Sequence, residues 1–111
     1  MTRLLTLSSA IIAAVLLSSS PAVAQDKVAM GTALITSQKC VLCHSIGDRG
    51  NKKGPLDGVG KKLKADELRL WLTNPDEMRA KTKAARTPAM KDPKLTPEQV
   101  DALVAYLETL K

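Results

Sequence analysis

The chain has 111 residues, with 17 Lys and Arg against 11 Asp and Glu for a formal charge of +6, and has room for one small domain. It contains no Phe, and Trp71 and Tyr106 are its only aromatic residues, which excludes a ring-rich core and leaves little to stack on nucleic-acid bases. Two cysteines and one histidine cannot make a four-ligand zinc site without carboxylates, and a single histidine excludes bis-histidine ligation of a metal within one chain.

Residues 1–24 read as a cleaved secretory signal. Met1 to Arg3 form a short positive region, Leu4 to Leu17 are mostly apolar, and Ser18 to Pro21 break the run. Ala22-Val23-Ala24 then supplies a small-x-small cleavage site. The apolar run is shorter than the roughly 20 residues that span a bilayer, so a cleaved segment is expected rather than a membrane anchor. Cleavage after Ala24 leaves a domain of residues 25–111 in the periplasm, with no stable membrane insertion and, once Arg3 is lost, 16 basic residues against 11 acidic.

Asp26 or a neighbour opens the first predicted helix, in which Val28, Gly31/Thr32 and Ile35 share a face. Gly31 weakens such a helix by about 1 kcal/mol relative to Ala, so close approach of another backbone or ring is expected there. A merely tolerated helix glycine is the alternative. Cys40-Val41-Leu42-Cys43-His44 follows, and C-x-x-C-H is the attachment signature of c-type haem. The two thiols become thioethers on the porphyrin vinyl groups, their spacing matches those vinyls, and the His44 imidazole follows as the proximal iron ligand. Three other readings compete. A thioredoxin-like pair needs a βαβ setting, zinc needs more ligands, and a disulfide over this spacing closes a small, strained loop.

Gly47 to Gly60 reads as a loop punctuated by Gly47, Gly50, Gly54-Pro55, Gly58 and Gly60. Ala65 to Leu72 is a short predicted helix with Leu68, Trp71 and Leu72 on one face. Asn74-Pro75-Asp76-Glu77 starts another, with Asn74 as cap and Pro75 at the first position. Thr96-Pro97-Glu98-Gln99 caps the last helix, and Val100, Leu103, Val104, Leu107 and Leu110 trace its apolar stripe. No segment shows a convincing strand period. The fold class is therefore all-α, with three to five helices wrapped around one covalently attached haem, an apolar disc able to fill the space that aromatic side chains usually occupy.

The iron needs a sixth ligand, for which methionine is the common partner of histidine. Met30 falls on the first helix and Met78 at helical spacing after Pro75, where core packing is the plainer role. Pro88, Pro93 and Pro97 keep the segment around Met90 out of regular helix and stiffen it, which favours Met90. Met78, or an open or water-filled position, remains the alternative.

These residues together resemble the class I cytochromes c, small single-haem electron carriers, over essentially all of residues 25–111. Gly31-x-x-x-Ile35-x-x-x-x-Cys40-Val41-Leu42-Cys43-His44 is similar to that family's first helix running into its haem site. The resemblance implies that the Pro55 carbonyl of Gly54-Pro55-Leu56 accepts a hydrogen bond from the proximal imidazole. It also implies that Trp71 covers the haem and bonds a propionate, and that Pro88-Ala89-Met90 is the distal strap. Leu103 to Leu107 resemble the terminal helix that crosses the first, with Tyr106 against Gly31. The chain departs from the family pattern at Ile35, where many relatives carry Phe, and in a longer, more charged segment from Met78 to Arg86. Trp71 as simple core filler stays open.

The implied function is a soluble, monomeric electron carrier with one haem c, not an enzyme. A dedicated haem subunit of a dehydrogenase or oxidase complex, or a gas-binding sensor with an open sixth site, is the alternative. Lys52-Lys53, Lys61-Lys62-Lys64, Lys81-Lys83-Arg86, Lys91 and Lys94 would form a positive rim for redox partners with acidic docking surfaces. A plain solvated surface would look the same in sequence.

Overall fold

A computed structural model describes residues 21–111; most of the expected signal segment, residues 1–20, lies outside the described residues. The chain folds as α1 (Pro21–Ser37), a 3-10 turn (Cys40–Leu42), a two-strand hairpin of β1 (Ser45–Ile46) and β2 (Arg49–Gly50), then α2 (Val59–Lys62), α3 (Ala65–Thr73), α4 (Pro75–Thr82) and α5 (Pro97–Glu108). None of the described helices is long and apolar enough to cross a membrane.

The helix boundaries follow local chemistry. At α5 the Thr96 hydroxyl accepts from the Gln99 amide at 3.2 Å while Thr96 N–H donates to the Gln99 side chain at 2.9 Å, closing the expected capping box. At α4 the Asn74 side chain accepts from the Glu77 amide at 3.3 Å, and Pro75 occupies the first turn, where its missing N–H costs nothing. Among the described residues the first helix runs from Pro21 to Ser37, so Ala22-Val23-Ala24, ahead of the expected Asp26, are helical. The helix ends where Lys39 turns left-handed at φ 56°.

Two elements are absent from the helical reading. Ser45–Ile46 and Arg49–Gly50 pair antiparallel around Gly47-Asp48, with Gly47 at φ 58° supplying the positive dihedral that a two-residue hairpin loop needs. Each strand has two residues, too short to leave a period. The one-turn helix α2 likewise begins inside the segment read as loop and runs two residues past it.

The core is a single cluster in which α1 crosses α5, and α3 packs on both α5 and α4. Leu34 and Ile35 meet Leu68, Leu72, Val100, Leu103, Val104 and Leu107 there. The crossing depends on Gly31. A Cβ at that position would overlap the Ala102 carbonyl oxygen and stand 2.6 Å from Tyr106 Cβ, so α1 and α5 approach backbone to backbone with Tyr106 against the glycine, as expected. This crossing sets the distance between the first helix, which delivers the cysteines, and the last, which closes the far side of the core.

Candidate functional site

The 3-10 turn presents the site. The Cys40 carbonyl accepts from the Cys43 amide at 3.2 Å and from the His44 amide at 2.9 Å, which curls the pentapeptide around one oxygen. Asn51 ties the turn to the hairpin: its amide donates to the Val41 carbonyl at 3.1 Å and its side-chain amide to the Leu42 carbonyl at 3.1 Å. Leu42 points outward and is 68% exposed, while Cys40, Cys43 and His44 line a common cavity.

That cavity has a volume of about 300 Å³ and walls made almost wholly of apolar side chains. Ile35, Leu68, Leu72, Leu103 and Leu107 belong both to the core and to its wall, so the cavity is the inner face of the core itself. Close-packed protein interiors do not keep an apolar recess of this size without an occupant of matching chemistry. A large, flat, apolar group with a metal for His44 fits these residues.

His44 is prepared as a ligand. Its Nδ1 lies 3.0 Å from the Gly54 carbonyl oxygen, which can only accept, so Nδ1 carries the proton and Nε2 keeps its lone pair. Burial pushes the imidazole pKa below its usual value, the Gly54 hydrogen bond opposes this, and the Arg86 guanidinium adds to the lowering. The neutral, metal-binding form is therefore favoured. Burial raises the Cys40 thiol pKa, offset in part by a backbone hydrogen bond, with Cys43 adding to the rise.

The acceptor for His44 is a correction to the expectation for Pro55. The bond falls on the carbonyl one residue earlier because the Gly54 oxygen also accepts the Ser45 amide at 3.0 Å and is thereby fixed beside the imidazole. Pro55 instead bridges Ser45 in a short parallel contact, is exposed, and does not line the cavity. Gly54 must be glycine for a steric reason: a Cβ there would overlap the Cys43 carbonyl oxygen and the Arg86 guanidinium. Nothing in the sequence distinguishes the two carbonyls.

The methionines separate cleanly. Met78 is 1% exposed and lies on α4 outside the cavity, and Met30 packs partly buried against the core. Met90 lines the cavity from the irregular segment between α4 and α5, in company with Pro88. Trp71 lines it from α3. Arg79, which the sequence reading did not single out, also lines it, as does Arg86, read in sequence as part of the positive rim.

Among the described residues there is no βαβ unit and no cluster of three or more His, Cys, Asp or Glu able to hold a metal.

The cytochrome c family model matches residues 28–111. The chain belongs to the cytochrome c family. No curated protein and no solved structure matches it. Family membership accounts for the mostly helical fold and for a covalently attached haem c, and the Cys40–Cys43 spacing fits its C-x-x-C-H site. This cytochrome is thus a haem-binding electron-transfer protein whose redox partners are other proteins, as is general in the family.

Lys61, Lys62 and Lys64 gather with Lys111, Glu67 and Glu108 around a second, shallow polar concavity beside the end of α5. Lys52 pairs with Asp48 at 3.0 Å and Lys94 with Asp92 at 3.4 Å. Lys81, Lys83 and Lys91 are exposed and flank the segment that carries Arg86 and Met90.

Proposed function

We propose that this cytochrome is a periplasmic, monomeric electron carrier in which Cys40 and Cys43 hold one haem c and His44 and Met90 are its axial ligands. One observation supports this above the others: among Met30, Met78 and Met90, only Met90 shares a cavity with Cys40, Cys43 and His44. When bound, the haem supplies an iron that alternates between ferrous and ferric states. The chain's own residues keep that change small. Gly54 fixes the His44 ring, Pro88 stiffens the approach of Met90, and the apolar wall excludes water and favours the less charged ferrous form.

Two ligands from the chain leave no position for a substrate, and His44 as the single histidine leaves no second imidazole for distal acid–base chemistry, so the reading is a carrier and not an enzyme. Export follows from the signal-like residues 1–24. The experiment is a visible spectrum and a carbon monoxide exposure of the ferrous protein. The carrier shows the weak far-red band of methionine-ligated ferric haem and does not take up carbon monoxide on mixing. Rapid uptake by the wild type would overturn this reading in favour of an open sixth site and a gas-binding role.

Docking on an acidic partner is the second part of the proposal, supported by the exposed Lys81, Lys83 and Lys91. The rate of reduction by an acidic redox protein is expected to fall at least about tenfold between about 0.01 M and 0.15 M salt, as the Debye length contracts from roughly 30 to 8 Å. A flat response would retire the acidic-partner proposal.

A further inference from the structure

We propose that Arg79 is a carboxylate-binding residue of the cavity and takes a propionate of the haem, an inference that rests on the haem-bearing reading above. Arg79 projects from α4 and lines the cavity. Its Nε is buried and has no hydrogen-bond partner. On the other side of the guanidinium, Nη1 lies 3.4 Å from Asp76 Oδ1, and Asp76 stands largely in water. An ion pair so exposed and so long does little for the cation's inner edge. A buried donor on a charged group is unfavourable until an acceptor completes it, and an anionic acceptor completes it best.

The cavity wall has no such acceptor. Among the residues that line it there is no carboxylate, amide or hydroxyl side chain. The acceptor therefore arrives with the occupant. Haem brings two carboxylates, both on the edge of the macrocycle away from the vinyl groups that the thiols engage. That chemistry distinguishes the two guanidinium groups on the wall. Arg86 lies against Gly54 and the Cys43 carbonyl, on the thioether side. Arg79 comes from α4, which packs on α3, the helix that carries Trp71 into the same cavity. Arg79 and Trp71 thus reach the cavity from consecutive helices, and Arg79 is the cation there for a carboxylate.

The test uses the haem-loaded protein and three variants: Arg79→Gln, Arg79→Lys, and Lys81→Gln as an exposed control on the same helix. The readouts are the reduction equilibrium against a fixed mediator and the propionate bending band in resonance Raman spectra. Loss of a cation beside the propionate favours ferric haem. Arg79→Gln is therefore expected to lower the reduction constant at least about threefold, about 28 mV at 59 mV per tenfold, and to move the propionate band. Lys81→Gln should change the constant by less than about twofold and leave the band in place. Arg79→Lys should restore most of the reduction constant while still moving the band, since a point charge replaces a planar donor. This variant carries the test if Arg79→Gln yields no holoprotein.

An unmoved propionate band in the Arg79 variants, with a reduction constant like that of Lys81→Gln, would overturn the proposal. The far-red band of the wild type is recorded in the same series. Its absence defeats the Met90 reading alone, whereas its presence with unresponsive propionates defeats the Arg79 proposal alone.

Discussion

Replacing Met90 with alanine should abolish the far-red charge-transfer band, open the ferrous iron to carbon monoxide, and lower the reduction potential by an amount on the order of 0.2 V. Axial ligands set haem potentials over a range of roughly 0.8 V, and exchange of a thioether for water or hydroxide uses a substantial part of it. Met78→Ala should leave each of these readouts unchanged and lower stability instead. Met78 is fully packed and outside the cavity, so truncation is expected to cost about 2–5 kcal/mol of unfolding free energy while the band persists. Titration with guanidinium chloride beside the visible spectrum separates the two. A band that survives Met90→Ala and vanishes in Met78→Ala would assign the ligand to Met78 and remove the main support for the proposed site.

The Cys40→Ala/Cys43→Ala double variant, purified without haem, is expected to lose cooperative unfolding altogether. The reason lies in the shared wall: Ile35, Leu68, Leu72, Leu103 and Leu107 are core residues whose inner faces are cavity surface. At about 24 cal/mol per Å³, holding open a space of about 300 Å³ would cost about 7 kcal/mol. The entire stability of a small domain is about 5–15 kcal/mol. With no Phe in the chain to rotate into the gap, collapse into a less ordered state is the accessible response. Circular dichroism should show a reduced helical signal and a broad thermal melt without a baseline-to-baseline transition. A steep, native-like melt would show that the helices pack independently of the cofactor.

Legibility in the sequence followed the range of the interaction. The capping signals at Asn74-Pro75 and Thr96-Pro97 and the apolar stripes of α3 and α5 were readable because each is settled by neighbours a few positions away. The hairpin at Ser45–Gly50 was not, since a two-residue strand has no period and is held by pairing alone. The helical conformation of Ala22-Val23-Ala24 escaped for a different reason: their composition suits a cleavage site and a helix equally well. Arg79 was hidden in a charged run, where only its placement on α4 turns one cation inward among several that face water.

The sequence by itself determined the cofactor chemistry: Cys40, Cys43 and His44 are joined through adjacent covalent bonds, so their spacing needs no fold to be read, and a single histidine leaves one imidazole for the iron. Tertiary structure decided the rest of the site. It placed Met90 rather than Met78 or Met30 on the cavity, set the Gly54 carbonyl rather than that of Pro55 to accept the His44 hydrogen bond, and brought Arg79 to the wall. Each of these depends on segments distant along the chain meeting around one core, and only packing sets those distances.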